Sequence, residues 1–202
     1  MKIDLGKALI ISPHADDWFL GCTSLIRNGT GCVIVLSTWD GEQTQILEEL
    51  NLCWTRTVDK LGWEHKLLGF PARRFDRHVA ELRDTIYKYI VELKPSAVLF
   101  PTGRHPDHVE AAKPIDAATV HLDLALVYYY TDLLDRHPDP NFHVYLSAVE
   151  TLEKQSTWTQ VWKTQQYRTE KPETLGLRRD KPQLDEIERF HVIRGQGEWI
   201  SK

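Results

Sequence analysis

No stretch of this chain comes near the roughly 20 consecutive apolar residues that a membrane-spanning helix needs, and no basic segment followed by an apolar core opens it. Neither a bilayer span nor a secretory signal is expected, and the chain reads as cytoplasmic. Cysteine is scarce: Cys22, Cys32 and Cys53 form an odd set with no C-x-x-C pair. That argues against a disulfide frame or a zinc knuckle and leaves buried free thiols in a reducing compartment. No G-x-G-x-x-G or Gly-Lys-Ser/Thr fingerprint occurs, so nucleotide binding has no direct support. There is no excess of positive charge either. With 25 Lys and Arg against 29 Asp and Glu the net charge is -4, and no nucleic-acid partner is expected. Internal repeats and low-complexity segments are absent.

What is present is an ordinary globular composition, 42% hydrophobic and 27% charged over 202 residues, enough for one domain spanning 1–202 with a substantial core. Short runs read as strands over 8–13, 32–37, 66–70, 96–100, 125–130, 143–147 and 188–194, the first two buried and 143–147 alternating as an edge strand does. Helical spacing covers 17–28, 48–61, 77–93 and 149–167, punctuated by Gly29, Gly62 and Pro95. Residues 109–118 read as a further helix that Pro114 breaks or shifts. The polar stretch 168–182 reads as a loop or a loosely held helix. Strands alternating with helices predict an α/β fold: a Rossmann-like, mostly parallel sheet with helices on both faces.

Two polar clusters follow predicted strands. Pro13-His14-Ala15-Asp16-Asp17 comes after Ala8–Ile11, and His105-Pro106-Asp107-His108 comes after Ala97–Pro101. The carboxyl ends of parallel strands share one crevice, so the two clusters can meet there. Imidazoles and carboxylates together suit a borderline cation such as zinc. In the first cluster His14 and one of the adjacent carboxylates can converge on an ion while the other carboxylate faces a water; a plain acidic N-cap would explain Asp16 but not His14. In the second, one histidine can ligate while the other hydrogen-bonds developing oxyanion charge, with Asp107 setting its tautomer or favouring its protonated form.

Together these motifs resemble the LmbE-like, or PIG-L, family of zinc-dependent de-N-acetylases, whose usual motifs read (A/P)-H-P-D-D-E and H-x-D-H. The likeness extends to Thr38-Trp39-Asp40-Gly41-Glu42, Lys60-Leu61-Gly62, Phe70-Pro71, Lys94-Pro95 and Phe190-His191-Val192-Ile193-Arg194. The resemblance implies His14, Asp17 and His108 as Zn2+ ligands, Asp16 as general base, and His105 as the group that stabilises the oxyanion or assists leaving-group protonation, oriented by Asp107. It implies an N-acetylated amino sugar or glycoconjugate precursor as the small-molecule substrate. The alternatives are a hydrolase of a non-sugar amide, or a non-catalytic carbohydrate-binding or scaffold protein on the same fold. The sequence departs from the family pattern at Ala15, Trp18, Leu50, Cys53 and Ala72. Trp18 and Trp39 are candidates for contact with a sugar, and Arg73, Arg74 or Asp40 for replacing the missing polar groups. Trp54 and Trp63 read as core.

Overall fold

The computed structural model describes residues 6–38, 43–103, 105–131, 140–165, 184 and 186–194. The strands are β1 (Lys7–Ser12), β2 (Thr30–Val35), β3 (Glu64–Leu67), β4 (Ala97–Pro101), β5 (Ala125–Tyr129), β6 (Phe142–Tyr145) and β7 (Ile187–Arg194). The helices are α1 (Asp17–Asn28), α2 (Gln43–Arg56), α3 (Val79–Leu93), α4 (Pro106–Thr119) and α5 (Ala148–Val161).

These strands form one sheet in the order β3-β2-β1-β4-β5-β7-β6. The pairings β1 with β2 and β4, β2 with β3, and β4 with β5 are all parallel. β7 then runs antiparallel between β5 and β6, which leaves β6 as the edge strand. The α/β, mostly parallel architecture expected from the sequence is therefore what forms. Alternate residues of β1 face opposite cores. Ala8 and Ile10 pack with Trp18, Phe19, Leu50, Trp54 and Trp158 from α1, α2 and α5. Leu9 and Ile11 pack with Leu82, Ile86, Ile90 and Ile115 from α3 and α4. A strand buried on both faces needs an unbroken apolar run, which is why β1 and β4 read so plainly. Gly31 on β2 sits at a close backbone approach: its φ is +156°, and a Cβ there would stand 1.9 Å from the Ala8 carbonyl oxygen.

Several boundaries differ from the sequence reading. α2 begins at Gln43 and ends at Arg56, and a separate 3-10 turn covers Asp59–Leu61, so the expected 48–61 helix is two pieces. α4 runs straight through Pro114. The ring is buried, and tertiary packing outweighs the one helical hydrogen bond that proline removes. The segment 168–182 lies outside the described residues. Burial raises the thiol pKa of all three cysteines, Cys32 to about 12, so each stays a protonated, packed side chain. None of the described helices is long and apolar enough to cross a membrane.

A buried ion pair ties the helical layer to the sheet. Glu188 on β7 and Lys154 on α5 meet at 2.8 Å with side chains 0% and 1% exposed. The Glu188 carboxylate also accepts the backbone N–H groups of Thr23 and Ser24, each at 3.0 Å, and both their hydroxyls. Lys154 Nζ donates to the Leu20 carbonyl at 2.6 Å. Burial pushes the Glu188 pKa up, but Lys154 and the hydroxyls outweigh it and hold the carboxyl below its ordinary range. A depressed carboxylate stabilises the fold above its unfolded pKa, about 4.3, and that contribution is lost as the pH falls. Glu188→Gln leaves the ammonium buried without its counter-charge and is expected to cost about 3–5 kcal/mol in chemical denaturation at pH 7. The stability difference between wild type and Glu188→Gln should narrow as the pH is lowered below about 4.

Candidate metal centre

The sheet order reverses between β1 and β4, and both polar clusters leave the carboxyl ends of these two strands. This is the topological switch point, where diverging loops leave an open crevice. α1 starts at Asp17 and α4 at Pro106, so each cluster is a strand-to-helix turn.

Local hydrogen bonding decides which side chains face the crevice. Trp18 N donates to Ser12 Oγ at 3.0 Å. The Ser12 hydroxyl thus serves the first turn of α1, and Asp16, at the N-cap position, makes no side-chain cap bond. The plain N-cap reading of Asp16 is set aside by that geometry: Asp16 is 6% exposed, and its negative charge acts on His14. At α4 the cap is His105, whose Nδ1 accepts from Asp107 N at 3.3 Å. Pro106, at the first helical position, has no N–H to leave unsatisfied.

Asp17 Oδ2 is the junction of the two turns. It lies 2.9 Å from His14 N, 3.1 Å from His14 Nδ1 and 3.1 Å from His108 Nε2. Each imidazole is fixed from its far side. His14 Nε2 bonds Asp107 Oδ2 at 2.8 Å, and His108 Nδ1 bonds the Thr102 carbonyl at 3.2 Å. Asp107 Oδ1 in turn accepts Arg73 N at 2.8 Å. The rings of His14 and His105 meet edge to face at 4.7 Å, and His105 and His108 stand 5.2 Å apart. Asp107 therefore holds His14, where the sequence reading had it orienting His105. The reason is the helix start: Asp107 N–H is used by His105, while the carboxylate turns back across the crevice.

The electrostatics follow from these contacts. Burial lowers the His14 pKa, but the carboxylates of Asp17, Asp107 and Asp16 together raise it to about 10. Burial raises the pKa of Asp17, yet His108 and His14 hold it well below the usual carboxylate range. Burial and then the neighbouring rings of His14 and His108 push His105 down to about 4. At neutral pH His105 is thus uncharged. With Nδ1 accepting the cap bond, its proton sits on Nε2.

The donor set fits a divalent cation. Two ligand atoms about 2.0–2.2 Å from a tetrahedral ion stand roughly 3.3 Å from each other, close to the 3.1 Å contacts of Asp17 Oδ2 with His14 Nδ1 and His108 Nε2. Nitrogens of His14, His105 and His108 also lie within 4.8 Å of one another. Asp17 stands nearer to both imidazoles and brings the negative charge a cation needs. A histidine whose other nitrogen is held by a carboxylate or a carbonyl is the usual form of a metal ligand.

No protein-family model and no curated protein matches this chain. Solved structures do. The A40926 pseudoaglycone deacetylase Dbv21 superposes with a TM-score of 0.64 at 20% identity, over 81% of this chain and 84% of that one. The zinc-inhibited form of teicoplanin deacetylase Orf2 gives 0.63 at 14% identity, over 80% and 85%. The conserved protein TT1542 from Thermus thermophilus gives 0.60 at 19% identity, over 96% and 99%. This chain has the fold of the glycopeptide deacetylases. In that deacetylase fold the crevice at the strand ends holds His14, Asp16, Asp17, His105, Asp107 and His108 together.

The expected substrate contacts divide. Trp18 is 0% exposed, and its ring packs edge to face on Phe19 at 5.9 Å. It lines a cavity of about 690 Å³ between α1, α2 and α5 whose lining includes none of the crevice histidines. Trp18 is therefore a core residue of the helical layer and does not face the strand-end crevice: it follows Asp17 by one position, so the helix turns it about 100° away. Leu50 and Cys53 are buried in the same layer. Arg73 lies at the crevice through its backbone contact with Asp107. Trp39 and Asp40 lie outside the described residues. Ser12, Thr102 and the Arg73 N–H were missed in the sequence, and only the hydroxyl and carbonyl at each strand end hint at them. Asp107→Asn is expected to weaken metal binding by about 10–100-fold, measured by chelator competition, because it loosens the hold on His14. Asp17→Ala should abolish stoichiometric binding.

Proposed function

We propose that this chain is a metal-dependent hydrolase that removes an N-acetyl group from an amino sugar or glycoconjugate precursor. The observation that carries the reading is the junction at Asp17, whose one oxygen stands 3.1 Å from a ring nitrogen of each of His14 and His108, beside a second buried carboxylate, Asp16. Neighbours of this fold described as deacetylases support it, and one described as zinc-inhibited supports zinc as an ion such a site accepts. The whole chain acts as one domain. Three buried free thiols suit a reducing, cytoplasmic setting.

His14 Nδ1, Asp17 and His108 Nε2 would hold the cation. When bound, a zinc ion supplies Lewis acidity and lowers the pKa of water toward about 7. Asp16, buried and uninvolved in capping α1, accepts the proton of the attacking water. Neutral His105 presents Nε2–H to the acetyl oxygen as negative charge develops there, and the bond strengthens as that charge grows. The C–N bond then breaks. The proton held by Asp16 passes to the leaving nitrogen, and the products are acetate and the free amine. Asp107 keeps His14 aligned throughout, and Arg73 borders the substrate side.

Asp16→Asn is expected to keep the metal and lower acetate release by about 10²–10⁴-fold on N-acetylglucosamine-type substrates. Unchanged turnover in the metal-loaded variant rules out Asp16 as the base. Removal of metal with a chelator should stop acetate release and added zinc restore it; full activity in verified metal-free protein overturns the reading.

A further inference from the structure

The loop between β3 and α3 meets the crevice where Arg73 N bonds Asp107, and it carries three arginines, Arg73, Arg74 and Arg77, against one acid, Asp76. Two hydrogen bonds tether its first half. Phe70 N donates to the Leu36 carbonyl at 2.8 Å beyond the end of β2, and Arg73 N donates to Asp107 Oδ1 at 2.8 Å. Ala72 and Phe75 are buried on either side, while Arg73 and Arg74 are exposed. Arg73 stands two hydrogen bonds from the His14 ring, through Asp107.

Arg73 has φ +59°, in the left-handed region. Glycine takes that conformation freely, whereas an L side chain takes it at a cost. The backbone duty of this position, an N–H aimed at Asp107, would be met at least as well by glycine. What arginine adds is an exposed guanidinium on the residue whose N–H reaches Asp107. Strain of this kind is kept where the surroundings enforce it, and functional sites are where it gathers. A guanidinium binds carboxylate or phosphate through a planar two-pronged contact, which a sugar hydroxyl cannot match. Arg74 and Arg77 raise the local potential further.

We infer that Arg73 selects N-acyl amines that carry an oxyanion, a carboxylate or a phosphate, close to the scissile amide. This rests on the amide-hydrolase reading of the same crevice. The geometry suits a glycine substitution as the test, because Arg73→Gly removes the side chain, relieves the backbone and leaves the N–H to Asp107.

The experiment compares kcat/KM for N-acetylglucosamine 6-phosphate, N-acetylmuramic acid and N-acetylglucosamine in wild type, Arg73→Gly and Arg73→Lys. Wild type is expected to favour at least one of the two anionic compounds over the neutral one, and the two arms separate phosphate from carboxylate recognition. Arg73→Gly should reduce that preference by about tenfold or more, the worth of a charge-assisted contact. Its melting temperature should be no lower and its metal content the same. Arg73→Lys keeps the charge without the fork and should fall between. An unchanged preference in Arg73→Gly, or a wild type that prefers the neutral sugar, overturns the inference. Calorimetric binding of the same three compounds is read in parallel. If wild type releases acetate from none of them, the hydrolase reading fails there. Binding then decides the role of Arg73: tighter binding of an anion that Arg73→Gly loses supports it, and equal affinities overturn it.

Discussion

One carboxylate oxygen holds the two halves of the crevice together. Asp17 Oδ2 takes contacts from the turn after β1 and from the helix after β4 at once, and 91 residues separate Asp17 from His108. The contact exists only because β1 and β4 are adjacent parallel strands. Everything else nearby serves that meeting. Thr102 and Asp107 fix the far nitrogens of the two rings, and Arg73 N fixes Asp107. An imidazole anchored on one side has a single direction left for its other nitrogen, and that is how a loop comes to aim its rings at one point.

The same helix that begins with Asp17 is gripped further along by Lys154 and Glu188. The carbonyl of Leu20 and the amides of Thr23 and Ser24 are bonded to charged side chains from α5 and β7. The antiparallel addition at the sheet edge thus reaches back to α1, the helix that presents two of the crevice carboxylates. Buried charge is costly unless it is paired and fully hydrogen-bonded, and here each Glu188 oxygen has several donors. The adjoining cavity, walled by Trp18, Phe19 and Ile26, lies behind this grip and away from the strand ends.

Much was legible in the residue order. The apolar runs of β1, β2 and β4 read as buried strands, since short β-branched and aliphatic runs bounded by turn signals have no wet face. α3 showed itself by Leu82, Ile86, Ile90 and Leu93, all buried on one face. The residues of the crevice were legible as two motifs. Less visible was the helical run through Pro114, because proline signals a break and only packing overrides it. The division of labour between His105 and Asp107 was hidden for a similar reason: spacing shows that they are neighbours, while the cap geometry decides which way each points.

From its residues alone the chain determined an α/β sheet with two metal-type motifs at strand ends, because strand hydrophobicity and short polar clusters are local properties. Folding alone decided that Asp107 serves His14, that Ser12 frees Asp16 from capping, that Trp18 is core, and that Arg73 stands strained beside Asp107. Each of those outcomes depends on which atoms, far apart along the chain, come within hydrogen-bonding distance, and local sequence carries no term for that.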